Sequence, residues 1–198
     1  MTWIVLATED ELSEAVGSCL AKEAGLEIGQ KLRRGGFGYL KTRLHNFCEI
    51  ALHQPVLLLT DLDRTRCAPA LVEKWMGNLE RPENFIFRVA VREIESWLLA
   101  DHDAIRTLLG NRIGKLPENP DALPDPKQAL LAFAGRAPRD VREDLVVTEG
   151  ALASQGLGYN ARLCDMVEQD WKPDRAAGRS ASLAKARTRL HELAKRLQ

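Results

Sequence analysis

Four runs of apolar, β-favouring residues alternate along the chain with stretches in which apolar residues recur every three or four positions. The first run, Thr2-Trp3-Ile4-Val5-Leu6-Ala7, breaks into Thr8-Glu9-Asp10-Glu11, after which Leu12, Ala15, Val16, Cys19 and Leu20 mark one helix face ending near Gly25. Leu26 to Leu32 is a weaker second strand. Leu40, Leu44, Phe47 and Ala51 give a second amphipathic helix, and Pro55 opens the third strand. A helix with Leu71, Val72, Trp75 and Met76 turned inward follows, with Pro69 in its first turn, and then the fourth strand, Phe85 to Val91. Ile94, Trp97 and Leu98 share a helical face, which makes Trp97 a core residue. Strands alternating with helices predict an α/β fold, a central, mainly parallel sheet with helices on both faces. From about Gly110 the pattern changes to a proline-rich connection, Leu116 to Pro126, a short helix from Lys127 to Phe133, and a turn, Gly156-Leu157-Gly158-Tyr159-Asn160. Leu163, Met166 and Val167 mark a further helix, and Leu183, Ala186, Leu190, Leu193, Ala194 and Leu197 a closing one with a basic outer face. The chain therefore divides into an α/β domain, residues 1–109, and a helical and irregular C-terminal extension, residues 110–198, packed on it.

The third strand, Leu57-Leu58-Leu59-Thr60-Asp61-Leu62-Asp63, is apolar until it ends in two carboxylates one residue apart. A continuous apolar run suits a strand buried on both faces, and open α/β sheets bind ligands at the carboxyl ends of their strands. In extended backbone Asp61 and Asp63 point the same way, so both could offer oxygen to one hard cation such as Mg²⁺. The other reading of Asp-x-Asp is a turn whose aspartate caps the next helix. Two more strand ends carry acids. Glu9 and Glu11 follow the first, where Thr8 and Glu11 also have capping-box spacing and helix-start carboxylates favour the dipole without doing chemistry. Glu93 and Glu95 follow the fourth. They cannot share a helix face, so at most one points at the site if the helix begins before them, and Glu95 is preferred.

Charge narrows the partners little, because 28 Lys and Arg balance 28 Asp and Glu. Local clusters do exist: Arg33-Arg34 beside Gly35-Gly36-Phe37-Gly38, Arg64-Thr65-Arg66, and the tail from Arg175 to Arg196. The glycine-rich segment could let backbone approach a phosphate, although the P-loop spacing is missing, and a turn with solvated arginines fits it as well. Arg64 and Arg92, next to the acidic strand ends, are the other phosphate contacts to expect. The four cysteines are scattered without a C-x-x-C pair, and there is neither a signal peptide nor an apolar run of membrane-spanning length. The expectation is a cytoplasmic protein with reduced cysteines and no membrane contact.

Strand then Glu9, a middle βα unit, strand then Asp61-x-Asp63, and a last strand then Glu93 and Glu95 together resemble the Toprim domain of topoisomerases, primases, recombination proteins and OLD-family nucleases. The resemblance covers roughly Thr2 to Asp101. Within that family the chain looks most like small prokaryotic Toprim-like proteins, some associated with phage-defence or mobile-element genes. The resemblance implies that Glu9 is the acidic catalytic residue and that Asp61 and Asp63 are metal ligands, with Glu95 beside them and Glu11 and Glu93 as secondary candidates. The family usually has glycine after its glutamate, whereas this chain runs Glu9-Asp10-Glu11, which leaves Glu9 and Glu11 as alternatives. It further implies a Mg²⁺- or Mn²⁺-dependent nuclease or related phosphoryl-transfer enzyme acting on nucleic acid, DNA in preference to RNA. A rival from another class is a non-catalytic Toprim-like regulatory or nucleic-acid-binding subunit. No Walker signature is present, so an ATPase partner would be a separate chain.

Overall fold

The computed structural model describes residues 2–33, 38–147 and 152–197. Arg34 and its neighbours Gly35 to Phe37 lie outside the described residues. The sheet consists of β1 (Thr2–Thr8), β2 (Leu26–Arg33), β3 (Val56–Asp61) and β4 (Phe85–Ala90) in the order β2-β1-β3-β4, and every pairing is parallel. α1 (Glu11–Glu23) joins β1 to β2. The chain then crosses back through α2 (Tyr39–Thr42) and α3 (Leu44–Ala51) to place β3 on the other side of β1. That reversal makes the carboxyl ends of β1 and β3 a topological switch point, the crevice where open α/β sheets take ligands.

Strand alternation divides the core in two. Ile4, Leu6, Leu57, Leu59 and Ile86 face α1 and the C-terminal helices, whereas Val5, Ala7, Val56, Leu58, Phe85 and Phe87 face α3 and α4 (Ala68–Met76). Each fully buried Val, Leu or Ile contributes roughly 1.5–3 kcal/mol, so Val56 to Leu59 alone anchor the middle of the sheet. β2 is the edge strand beside β1, with most of its positions partly or fully exposed, which accounts for its weak apolar signal.

Two local expectations change. The second amphipathic helix is broken at Arg43, the shared boundary of α2 and α3, although Leu40, Leu44, Phe47 and Ala51 all remain buried. The Thr8–Glu11 capping box is absent. Thr8 is still in β1 and buried, and Asp10 is the N-cap of α1, its carboxylate accepting from Ser13 N at 2.7 Å. The Thr8 hydroxyl donates to Asp10 O at 3.3 Å and Glu9 is engaged by Thr60, so the cap falls to Asp10.

After β4 come α5 (Ile94–Leu99), α6 (His102–Leu109), two 3₁₀ turns (Asn111–Ile113 and Pro120–Ala122), α7 (Pro126–Ala134), α8 (Arg139–Leu145), α9 (Tyr159–Gln169), α10 (Pro173–Ala177) and α11 (Ala181–Arg196). One apolar cluster runs without interruption from Ile4 to Ala194. Asp101 links its parts. Buried at the N-cap of α6, it accepts from Lys172 N at 2.8 Å and from Arg175 Nη2 at 2.8 Å, joining the start of α10 to the end of α5. No helix among the described residues is long and apolar enough to cross a membrane.

Candidate functional site

Asp61 is the last residue of β3 and belongs by alternation to the same side as Leu57 and Leu59, beneath α5. Its Oδ1 is closed to solvent and has no hydrogen-bond partner. Burial pushes its carboxyl well above the usual 3.8, and the charges of Glu95, Asp10, Asp63 and Glu9 push the same way, Glu95 most strongly and Glu9 least. Asp61 as a whole is half-buried, but a carboxylate oxygen closed to solvent normally recruits a donor. This one has recruited four acids.

Those acids are held by different elements. Glu9, just past β1, accepts from Thr60 Oγ1 at 2.7 Å. Burial raises its pKa, the Thr60 hydroxyl offsets part of the rise, and Asp63 and Asp10 add to it. Asp63 is exposed and left-handed at φ 49°, a conformation that aspartate tolerates better than most residues. Its N–H donates to Arg92 O at 2.9 Å, and the Arg92 guanidinium returns to Asp63 O and Thr65 O, both at 3.1 Å. Arg92 therefore ties the loop after β3 to the end of β4. Arg64 is exposed on that loop.

Glu93 and Glu95 reach the site in different ways, because Glu93 is the N-cap of α5 and only Glu95 is inside the helix. Glu95 is buried, and its Oε1 accepts from Tyr159 Oη at 2.8 Å. Burial raises its pKa, whereas the Tyr159 hydroxyl, its own backbone N–H and the Lys127 charge lower it. Glu93 accepts from Lys127 N at 3.0 Å. Its pKa too is raised by burial, partly offset by that N–H. Lys127 Nζ lies 5.1 Å from the Tyr159 ring centroid. Glu11 begins α1 and is exposed, and Arg33 is engaged by Glu14 at 3.1 Å. Among the described residues, no three carboxylate, imidazole or thiol groups stand close enough to grip one ion as they are placed.

Asp10 and Tyr159 are the site residues that motif reasoning did not select. Asp10 was visible only as part of an acidic helix start. Tyr159 stood out as an aromatic in a glycine turn, and the turn explains its placement: a Cβ on Gly156 would lie 2.2 Å from Asp144 O, and one on Gly158 would lie 2.7 Å from Asp144 Cβ. Only glycine lets the chain double back on α8 and deliver Tyr159 to Glu95. Tyr159→Phe should therefore push the Glu95 pKa higher still, since a lowering hydrogen bond is lost, and should cost about 1–3 kcal/mol for a buried acceptor left unpaired. Carboxyl NMR titration and urea unfolding would check both; an unchanged Glu95 titration would disprove the pairing.

The profile of the family described as Domain of unknown function (DUF4276) matches residues 8–141, more than half of the chain. The chain belongs to the DUF4276 family. The matched segment holds Glu9, Asp10, Asp61, Asp63, Glu93, Glu95 and Lys127, while Tyr159 and the basic helix α11 fall beyond it in this DUF4276 chain. Among solved structures, the C-terminal region of the Burkholderia pseudomallei OLD protein is similar at 13% identity and a TM-score of 0.42, with 100% of each chain covered. No curated protein matches this DUF4276 sequence.

Proposed function

We propose that the chain is a Mg²⁺- or Mn²⁺-dependent phosphodiesterase acting on nucleic acid. One observation carries the reading: the unpartnered, solvent-excluded oxygen of Asp61 among four other acids at the switch point of the sheet. An all-carboxylate donor set suits a hard cation, and a cation would relieve both the missing partner and the mutual repulsion. Asp61 and Asp63, with Glu9 and Glu95 beside them, are the residues that would hold it. When bound, such an ion stabilises charge on non-bridging phosphate oxygens and activates an attacking water. The protein's own groups have separate tasks. Glu9, whose Oε1 is taken by Thr60, has in place of holding the ion the alternative task of passing a proton through Oε2 to a leaving oxygen. Tyr159 holds the Glu95 carboxylate in one orientation, and Arg92 holds Asp63 over the site.

A second reading, a non-catalytic regulatory or nucleic-acid-binding subunit working beside a separate ATPase or effector, is favoured by the spacing of the acids, which do not form a ready-made cage. Purified protein would be offered single- and double-stranded DNA and RNA with Mg²⁺, Mn²⁺ or EDTA. Cleavage that requires the divalent ion and favours DNA is expected. Ion binding without cleavage of any substrate would favour the subunit reading, and failure to bind either ion would overturn the proposed site.

A further inference from the structure

A second polar anomaly lies on β4, apart from the carboxylates. Phe85, Phe87 and Val89 turn toward α3 and α4 and Ile86 and Ala90 toward the helical side, but the position between the last two is Arg88. β4 ends the sheet, and α11 packs along it with Leu190 and Leu193 buried. Arg88 is thus caught between an edge strand and a helix. Its Nε is closed to solvent and has no hydrogen-bond partner. Its pKa is lowered to about 10, first by burial and then by the charges of Arg81 and Arg189, with Glu192 opposing them least. Glu192 is itself paired to Arg189 at 2.8 Å.

Arg88 is the wall shared by three adjoining clefts of 620, 660 and 360 Å³. The first also holds Arg81, Arg189, Lys195 and Arg196, against only Glu83 and Glu192. Glu83 is occupied by Arg196. The second cleft extends past Pro69 and Val91 toward the acidic end of the sheet. A strand added to the free edge of β4 is a poor occupant, because Arg81 Nε already donates to Phe85 O at 3.1 Å and Arg196 Nη2 to Glu83 O at 3.2 Å. Guanidiniums present N–H donors in a fixed fork that matches phosphate, and a multiply charged oxyanion relieves the repulsion among several of them at once.

We propose that this cleft is a phosphate-binding site, in which Arg88, Arg81 and Arg189 take the oxygens of one phosphate group belonging to a free polyphosphate or to a nucleic-acid backbone. The site needs neither the divalent ion nor cleavage, so it stands or falls separately from the proposed activity. Binding would be measured in EDTA by calorimetry with inorganic pyrophosphate and by fluorescence anisotropy with a short single-stranded DNA. Loss of the charge-assisted bonds in Arg88→Gln should weaken binding about tenfold or more. Arg189→Gln, on the exposed face of α11, should weaken it in the same direction and lower the salt slope of DNA binding by about one. Asp61→Asn should bind at least as well as wild type. Pyrophosphate should also raise the wild-type Tm but not that of Arg88→Gln. Binding of pyrophosphate alone identifies a free polyphosphate as the ligand, and DNA binding that pyrophosphate displaces identifies the backbone. If Arg88→Gln does not fold, Arg189→Gln decides. Failure of the wild type to bind either probe, or undiminished binding by the arginine variants, would overturn the proposal.

Discussion

Asp61→Asn, alone or with Asp63→Asn, should abolish divalent-dependent cleavage while leaving the metal-free protein as stable as wild type or more so. On the activity side, neutralising a carboxylate that would hold the ion should forfeit several kcal/mol of transition-state stabilisation, about a 10³-fold loss or greater. On the stability side, Asp61 has an unpartnered oxygen, and burial first and then four neighbouring acids raise its pKa well above 3.8, so its charged form opposes folding. Glu9, Glu93 and Glu95 are shifted upward from 4.5 in the same sense. A carboxyl whose folded pKa is raised stays protonated in the native state after the unfolded chain has lost its proton. The native state therefore binds more protons than the unfolded one from about pH 4 upward. Stability falls as pH rises through the window between the unfolded and folded values, and remains lower above it. Thermal unfolding in EDTA across this range should show that fall in wild type and a shallower one in Asp61→Asn. Added Mg²⁺ or Mn²⁺ should raise the wild-type Tm and not that of the double variant. Cleavage by the double variant at the wild-type rate would refute the site, and a large loss of stability in EDTA would refute the electrostatic account.

Trp171→Ala should lower unfolding stability by about 3–5 kcal/mol, a large part of the 5–15 kcal/mol typical of a folded domain. Trp171 follows α9, is fully buried, and donates its indole N–H to Trp97 O at 3.1 Å. Truncation would leave both a cavity and an unpaired carbonyl in the middle of the core that α5 shares with the C-terminal helices. Because α5 carries Glu95, the loss should also loosen the acidic site, with divalent-ion affinity declining alongside stability. Trp171→Phe retains much of the packing but not the donor and should fall between the two. Urea denaturation gives the number; a loss below about 1 kcal/mol would mean that the residues beyond 109 are not integral to the core.

The parts of the molecule legible in the sequence are those governed by local period. The apolar run Val56 to Leu59 reads as a strand covered on both faces, and it lies at the middle of the sheet. Trp97, the sole tryptophan on the Ile94–Leu98 face, is buried as its spacing requires. Pro69 is in the first turn of α4, where its missing N–H costs nothing. β2 was faint because an edge strand needs little apolar surface, and the capping of α1 was misplaced by two residues because strand pairing held Thr8. Helices α8 and α10 are short, and their apolar residues are too few to establish a period.

By itself, then, the sequence determined the α/β class and the acids at the ends of three strands, since strand polarity and residue type are local properties. Tertiary structure alone decided which acids meet and what else reaches them. Tyr159 lies 64 positions from its partner Glu95, and nothing in either segment's periodicity announces the hydrogen bond between them. Arg187, another distant case, crosses 164 positions to Glu23. Asp10 reads locally as a helix cap and does cap a helix, yet its charge also bears on Asp61 because parallel pairing places the ends of β1 and β3 at a common rim. Arg88 looks in sequence like an interruption of a strand. Only the packing of α11 against β4, with Arg81 and Arg189 beside it, turns that interruption into a half-buried charge whose Nε has no partner, because burial and charge proximity belong to the folded surface rather than to any stretch of chain.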